Sequence, residues 1–198
     1  MRLRAFYRKR SQPRVFLEDT TIMYDIVIIS GSPSNASNSH GVLGYTRRIL
    51  ESHALSTHLI SVRDLPLKDL LHAQAESTAV RGQTELLAHA GGIIVGSPTF
   101  RSSFSGVLKT YLDLLPDGIF AGKAVLPISS AATLSQIGDF EAAIKPVLTD
   151  LGAHKILPGL TLLDSQIEWS EDREIRLPDN IDHSLHAALQ LLAQNIRK

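Results

Sequence analysis

The chain has 198 residues, of which 43% are hydrophobic and 20% charged, with 20 basic residues balancing 20 acidic ones. That is enough for one domain with a full-sized core, and the absence of cysteine excludes disulfides, thiol catalysis and thiolate metal sites. No apolar run approaches the roughly 20 residues that a helical membrane span needs.

Charge is unevenly placed along the chain. Residues 1–22 carry six basic residues (Arg2, Arg4, Arg8, Lys9, Arg10 and Arg14) and two acidic ones, Glu18 and Asp19. The remainder has 14 basic and 18 acidic residues, a net charge of −4. So weakly acidic a body argues against nucleic acid as the main partner. The basic head lacks the apolar core of a signal peptide and the serine-rich amphipathic face of a transit peptide. It is expected to be a basic extension, either an unstructured arm or sequence ahead of the true start at Met23. The folded domain is expected over 23–198.

Strand-like and helix-like patterns then alternate. Residues 25–30 form an apolar strand, and 43–52 carry Leu43, Arg47 and Leu50 at helical spacing. Residues 57–62 alternate as a strand, and 76–90 place Val80, Leu86 and Leu87 on a helix. A short apolar strand at 92–96 is followed by a helix over 105–115. A buried strand at 124–129 precedes a helix over 140–151. A last strand lies within 154–163, and an amphipathic helix covers 179–197, with Leu185, Leu191, Leu192 and Ile196 as its apolar stripe. Short apolar strands separated by helices imply βαβ crossovers and a parallel sheet covered on both faces. The expected fold is α/β, a flavodoxin-like three-layer sandwich whose five parallel strands follow the order 2-1-3-4-5. The irregular stretch 164–180 holds the single tryptophan, Trp169; a segment of this length is expected to be functional or at an interface, with Glu168-Trp169 covering a ligand or sitting between subunits.

In such a sheet the ligand lies outside the carboxyl ends of the strands. Three loops there carry the candidate chemistry. The first strand ends in Gly31-Ser32-Pro33-Ser34-Asn35-Ala36-Ser37-Asn38-Ser39-His40, small hydroxyl and amide residues ahead of a helix. A helix N-terminus with such donors suits an anion. The loop lacks the lysine of a P-loop and the glycine spacing of a dinucleotide fingerprint, which leaves a phosphate monoester or a plain helix cap. The third strand ends in Ser97-Pro98-Thr99-Phe100-Arg101-Ser102-Ser103-Phe104-Ser105-Gly106. Phe100 offers a flat apolar face and Arg101 a fixed charge. On spacing alone, Phe100 and Phe104 read as core plugs and Arg101 as a solvated loop charge. Lys109 and Asp113 read as a helix-face ion pair. His183 and His186 with Asp179 and Asp182 have ligand types at helical spacing, but nothing completes a tetrahedral metal site.

The marks Gly31-Ser32-Pro33, Ser37-x-Ser39, Ser97-Pro98-Thr99-Phe100 and Ser103-Phe104-Ser105-Gly106-Val107-Leu108-Lys109-Thr110 begin a longer series. It continues through Leu112-Asp113-Leu114-Leu115-Pro116, Gly122-Lys123, Val125-Leu126-Pro127, Lys145-Pro146-Val147-Leu148 and Asp164-Ser165-Gln166. In this order and spacing the chain resembles the NADPH-dependent FMN reductase family, most closely its alkanesulfonate-type branch. The resemblance implies an NAD(P)H:FMN oxidoreductase that supplies reduced FMN to a separate flavin-dependent monooxygenase of sulfonate-sulfur metabolism. It implies FMN and NADPH as cofactors, with NADH open, and a homodimer or homotetramer; a cytoplasmic location is expected from the absence of a recognisable targeting or membrane signal. It places the FMN phosphate on Ser32, Ser37 and Ser39, and the isoalloxazine along Pro98, Thr99, Phe100 and Arg101. It sets Ser129, Ser130, Ala131 and Thr133 at the pyrimidine end and makes Gly106 a point of close packing. No side chain is implied as acid or nucleophile; Arg101 is the candidate charge near the flavin or the NADPH phosphate.

Three positions depart from the branch. Asn38 stands where an arginine often lies between the two serines, and Ala131-Ala132 replace a usual pair of glycines. Ala142, with Phe140 nearby, stands where an inserted aromatic or histidine is found in the fourth helix. Flavin as substrate and flavin as bound cofactor therefore both stay open, the latter meaning a quinone, azo or metal-ion reductase. A flavodoxin-like electron carrier is a further class, though its strongly acidic surface is missing. A receiver domain is excluded by Ile29-Ser30-Gly31, which puts no acid at the end of the first strand.

Overall fold

The computed structural model describes residues 14–16, 19–34 and 36–196. In chain order the elements are β1 (Arg14–Phe16), β2 (Asp19–Met23), β3 (Ile26–Ser30), α1 (Asn38–Ser52), β4 (Thr57–Ser61), α2 (Leu67–Leu71) and α3 (Thr78–His89). There follow β5 (Gly92–Pro98), α4 (Gly106–Leu112), β6 (Ala124–Ala131), α5 (Asp139–Asp150), β7 (Lys155–Ile156) and β8 (Leu160–Leu163). β9 (Glu168–Trp169), β10 (Ile175–Arg176) and α6 (Asp179–Asn195) close the chain.

The main sheet runs β4-β3-β5-β6, with β7 and β8 both paired to β6 at the edge, and every pairing is parallel. This is the expected 2-1-3-4-5 order. The pleat sends successive side chains to opposite faces, and both faces are covered. Val27, Ile29, Ile93 and Val95 pack with Leu87 of α3, Leu108 of α4 and Ile144 of α5. Ile26, Ile28 and Ile94 pack with Val42, Leu43 and Leu50 of α1 and with Leu185, Leu189 and Leu192 of α6. The apolar stripe of α6 therefore runs through Leu189, while Leu191 is 38% exposed and faces away from it.

The fifth strand is broken. Ala124 pairs with Lys155, but Ile128 pairs with Leu160, so one extra residue is taken up at Leu157-Pro158-Gly159. Pro158 cannot donate to a ladder, which confines it to such a bulge. The Gly159 N–H leaves the ladder and donates instead to Glu141 Oε2 on α5 at 3.0 Å.

Several elements differ from the sequence expectation. α1 begins at Asn38, earlier than its apolar spacing implied, because Asn38, Ser39 and His40 form a polar first turn capped by Ser37. α4 ends at Leu112; Leu114 and Leu115 donate three residues back to Tyr111 and Leu112, and Pro116 stops the helix. α2 and the β9–β10 ribbon are too short for periodicity to reveal. β1 and β2 form an antiparallel ribbon that runs from within the basic extension 1–22 to Met23. The rest of that extension, residues 1–13 and 17–18, lies outside the described residues.

Glu141 gives the bulge its only side-chain acceptor among the described residues. Glu141→Ala leaves that N–H unpaired and is expected to destabilise the fold by about 1–2 kcal/mol, measured by urea unfolding; an unchanged midpoint would mean that the bulge is not held from α5.

Candidate active site

The loops after β3, β5 and β6 meet at one end of the sheet and are stitched together by hydrogen bonds. The Gly31 N–H donates to the Gly96 carbonyl at 2.7 Å. Ser105 Oγ donates to the Gly31 carbonyl while accepting the Leu108 N–H at 3.0 Å as the N-cap of α4. The Ser105 N–H in turn donates to Ser97 Oγ at 3.0 Å. Thr99 N–H donates to the Ser130 carbonyl at 2.7 Å, tying the second loop to β6. A Cβ on Gly31 would lie 2.4 Å from Leu108 Cβ, so only glycine lets this loop pass over α4. Gly106, by contrast, faces open space among the described residues. The close packing expected of it belongs to Gly31, which lies one strand over.

The first loop wraps around the N-terminus of α1. Ser37 is the N-cap, its Oγ 3.5 Å from the His40 N–H. Its Oγ also lies 2.8 Å from Ser39 Oγ. The first turn of this 15-residue helix contains no acidic residue. Ser32 is turned into the loop, where its hydroxyl donates to the Ser34 carbonyl at 3.0 Å and accepts the Ser34 N–H at 3.2 Å. Asn38 does not face the loop interior with a free amide. Its Nδ2 donates to Asp164 Oδ1 at 2.9 Å, and its Oδ1 accepts the Trp169 indole N–H at 2.8 Å. Trp169 thereby lies over the first turn of α1; a Cβ on Gly41 would sit 2.5 Å from its ring.

Beneath this loop lies a group that the sequence reading missed. Arg63, in the 3₁₀ turn after β4, donates from Nη1 to the Ser34 carbonyl at 2.6 Å. Its Nη2 is 3.1 Å from His40 Nε2. A guanidinium only donates, so His40 Nε2 must accept. The imidazole is therefore neutral and carries its proton on Nδ1, which donates to Ser30 Oγ at 2.8 Å. Burial first, and then the Arg63 charge, hold the His40 pKa below its ordinary value of 6.5. Arg63 adjoins the site because β4 neighbours β3, with Ser61 in register with Ser30. A cation just past the carboxyl end of the neighbouring strand was the signal available in the sequence.

In the second loop, Pro98 and Thr99 are buried and Phe100 is 50% exposed. Phe100 is therefore not a core plug, whereas Phe104 packs partly against the core. Phe100 and Ser103 exchange both backbone bonds, at 2.7 and 3.0 Å. The two residues between them, Arg101 and Ser102, have φ of 50° and 58°. Left-handed backbone at two successive non-glycine residues costs about 1 kcal/mol or more each. That strain projects Phe100 outward, with Arg101 exposed at the tip and in no ion pair among the described residues. Thr99 Oγ1 is buried with no hydrogen-bond partner among the described residues.

In the third loop, Ser129 and Ser130 are buried in β6, and Ser129 Oγ lies 2.9 Å from Thr161 Oγ1 of β8. Ala131 ends the strand, and Thr133 is exposed with its hydroxyl 3.0 Å from Ser135 Oγ. Neither Ala131 nor Ala132 has a positive φ, so alanine in place of the glycines strains nothing here. The Ala132 N–H is taken by Gln136 Oε1 at 3.1 Å.

Away from these loops, Lys109 and Asp113 form the expected ion pair at 2.5 Å. Asp182 accepts the Tyr45 hydroxyl at 2.8 Å and lies 3.6 Å from His186 Nε2, fastening α6 to α1.

A parallel sheet in this order, with a long helix starting beside an exposed aromatic loop at the carboxyl ends of its strands, places the chain in the flavodoxin-like class of α/β folds. The model of the family described as NADPH-dependent FMN reductase matches residues 24–167, and the chain belongs to that family. FMN and NADPH are accordingly its cofactor and substrate. An "FMN reductase (NADPH)" of Pseudomonas putida is 39% identical over 166 residues, 83% of this chain and 84% of that protein. One of Escherichia coli K12 with the same name is 34% identical over 173 residues, 87% of this chain and 90% of that protein. The crystal structure of the apo form of an NADH:FMN oxidoreductase, EMOB, superposes with a TM-score of 0.80 at 27% identity. It covers 88% of this chain and 91% of that one.

The neutral state of His40 ties the loop to pH. Its folded pKa lies below its unfolded value near 6.5, so the unfolded chain binds the extra proton first. The stability it contributes is complete above about 6.5 and is lost as pH falls from there toward the folded pKa. Denaturation midpoints from pH 8 to 5 are expected to drop on the acid side, and His40→Gln is expected to flatten the drop. The same slope in both proteins would place the acid sensitivity elsewhere.

Proposed function

We propose that the first turn of α1 holds the FMN phosphate, and that the chain passes reduced FMN to a separate monooxygenase of sulfonate-sulfur metabolism. One observation carries the phosphate assignment: the paired hydroxyls of Ser37 and Ser39 sit at the N-terminus of a long helix with no acid in its first turn. Aligned peptide dipoles place about half a positive charge there, and the hydroxyls are free to rotate toward an anion. Ser32 shapes the loop that encloses them. The isoalloxazine then lies along Pro98, Thr99, Phe100 and Arg101, with its pyrimidine end toward Ser129, Ser130, Ala131 and Thr133. The orphaned Thr99 hydroxyl and the outward Phe100 ring suit such an occupant, one wanting a polar partner and the other an apolar face.

FMN, when bound, supplies the acceptor for the NADPH hydride. The chain's own residues bind and orient. Pro98 and Phe100 give the ring an apolar bed, and Arg101 supplies a fixed charge that favours an anionic reduced ring or the NADPH phosphate. No side chain donates or abstracts a proton in this account.

Loose holding of flavin, as a substrate that leaves, is supported by Asn38. Its neutral amide is committed to Asp164 and Trp169. A charge-assisted bond to the phosphate, worth about 1.5–3 kcal/mol in gross terms, is thus missing from that position. Self-association and a cytoplasmic setting belong to the same reading. The exposed Leu67 and Leu71 of α2 support the first, and the lack, among the described residues, of a helix long and apolar enough to cross a membrane is compatible with the second.

The purified protein is expected to be colourless after gel filtration and to oxidise NADPH only when FMN is added. A yellow protein that keeps its flavin through the column and reduces quinones or azo dyes would replace flavin supply with a bound-cofactor reductase.

A further inference from the structure

We infer that Arg63 is a positioning residue for the FMN phosphate, supplying from beneath the loop the positive charge that Asn38 does not provide. The inference rests on the phosphate assignment above. Three features of Arg63 and its surroundings carry it.

First, the guanidinium is largely buried, its side chain only 14% exposed, and its charge is poorly compensated. The carboxylate paired with it is Asp64, 3.7 Å from Nε on a side chain 70% exposed. Nε itself makes no hydrogen bond among the described residues. A buried cation with so weak a counter-ion is costly unless an anion arrives. Second, both of its terminal nitrogens are committed to the anion loop. One holds the Ser34 carbonyl, and the other holds His40 in the first turn of α1. Third, His40 is kept neutral by burial and then by this contact. It therefore serves as a rigid spacer between Arg63 and Ser30 rather than as a second charge. The loop is thus clamped in one shape, and its field is made positive by a cation that cannot deprotonate.

A residue that acts on the phosphate must distinguish FMN from riboflavin, which carries the same ring without the phosphate. Quenching of flavin fluorescence gives both dissociation constants without reliance on turnover. Arg63→Gln is expected to weaken FMN binding about tenfold and to leave riboflavin binding unchanged. Arg63→Lys keeps the charge but loses the fork, and is expected to fall between wild type and Arg63→Gln. Thermal melts of both variants check that they fold; if Arg63→Gln does not, the FMN-to-riboflavin ratio of Arg63→Lys decides. Equal losses for the two flavins, or no loss for either, would overturn the inference. The double variant Ser37→Ala/Ser39→Ala separates this from the underlying assignment. If that variant leaves the FMN-to-riboflavin ratio intact, the phosphate site itself is misplaced. If it collapses the ratio while Arg63→Gln does not, only the role of Arg63 fails.

Discussion

Everything at the carboxyl end of the sheet depends on the passage of Gly31 over α4. Its N–H is bonded to Gly96, its carbonyl takes the Ser105 hydroxyl, and its missing side chain leaves room for Leu108. One residue thereby fixes the distance between the loop that offers an anion site and the loop that offers an aromatic face. Ser105 adds to this, because the same hydroxyl caps α4 and holds the Gly31 carbonyl. A flavin mononucleotide joins its ring to its phosphate through a flexible ribityl chain, so two loops locked to each other would order it better than two that drift. The strained turn at Arg101 and Ser102 is affordable on such a frame, since the bonds around it over-determine its conformation.

The electrostatics follow from the same geometry. Among the described residues the site carries no exposed ring of cations. What the proposed site offers an anion is a helix terminus, two hydroxyls and one largely buried guanidinium, with a neutral histidine between the guanidinium and the sheet. Charges in that setting are screened less by salt than surface charges are. The exposed Arg101 is the single charge of the second loop. Asn38 belongs to another function of the loop. With Asp164 and Trp169 it fastens the start of α1 to the segment after β8, so the N-terminus of the helix is anchored from both sides of the sheet edge.

Much of this was legible in the sequence. Strands buried on both faces appear as continuous apolar runs, which made β3, β5 and β6 plain, and the position of a loop after a strand named the three that converge. What stayed hidden depends on contacts across long separations. Arg63 lies 29 residues from the carbonyl it holds, and Asn38 lies 126 and 131 residues from its two partners. No local pattern encodes such pairs. Gly31 and Gly106 look alike as glycines beside a motif, and only packing reveals that one is squeezed and the other is open. Five residues of α2 and two each of β9 and β10 fall below the length at which periodicity speaks.

Binding of the flavin by its phosphate at the first turn of α1 is what the proposed function stands on. The most direct test follows backbone amide resonances in ¹⁵N-labelled protein as FMN and then riboflavin are added. The amides of Asn38 and Ser39 are expected to move strongly with FMN and to stay in place with riboflavin, while those of Thr99 and Phe100 move with both. Equal movement of Asn38 and Ser39 with the two flavins, or none with either, would contradict it.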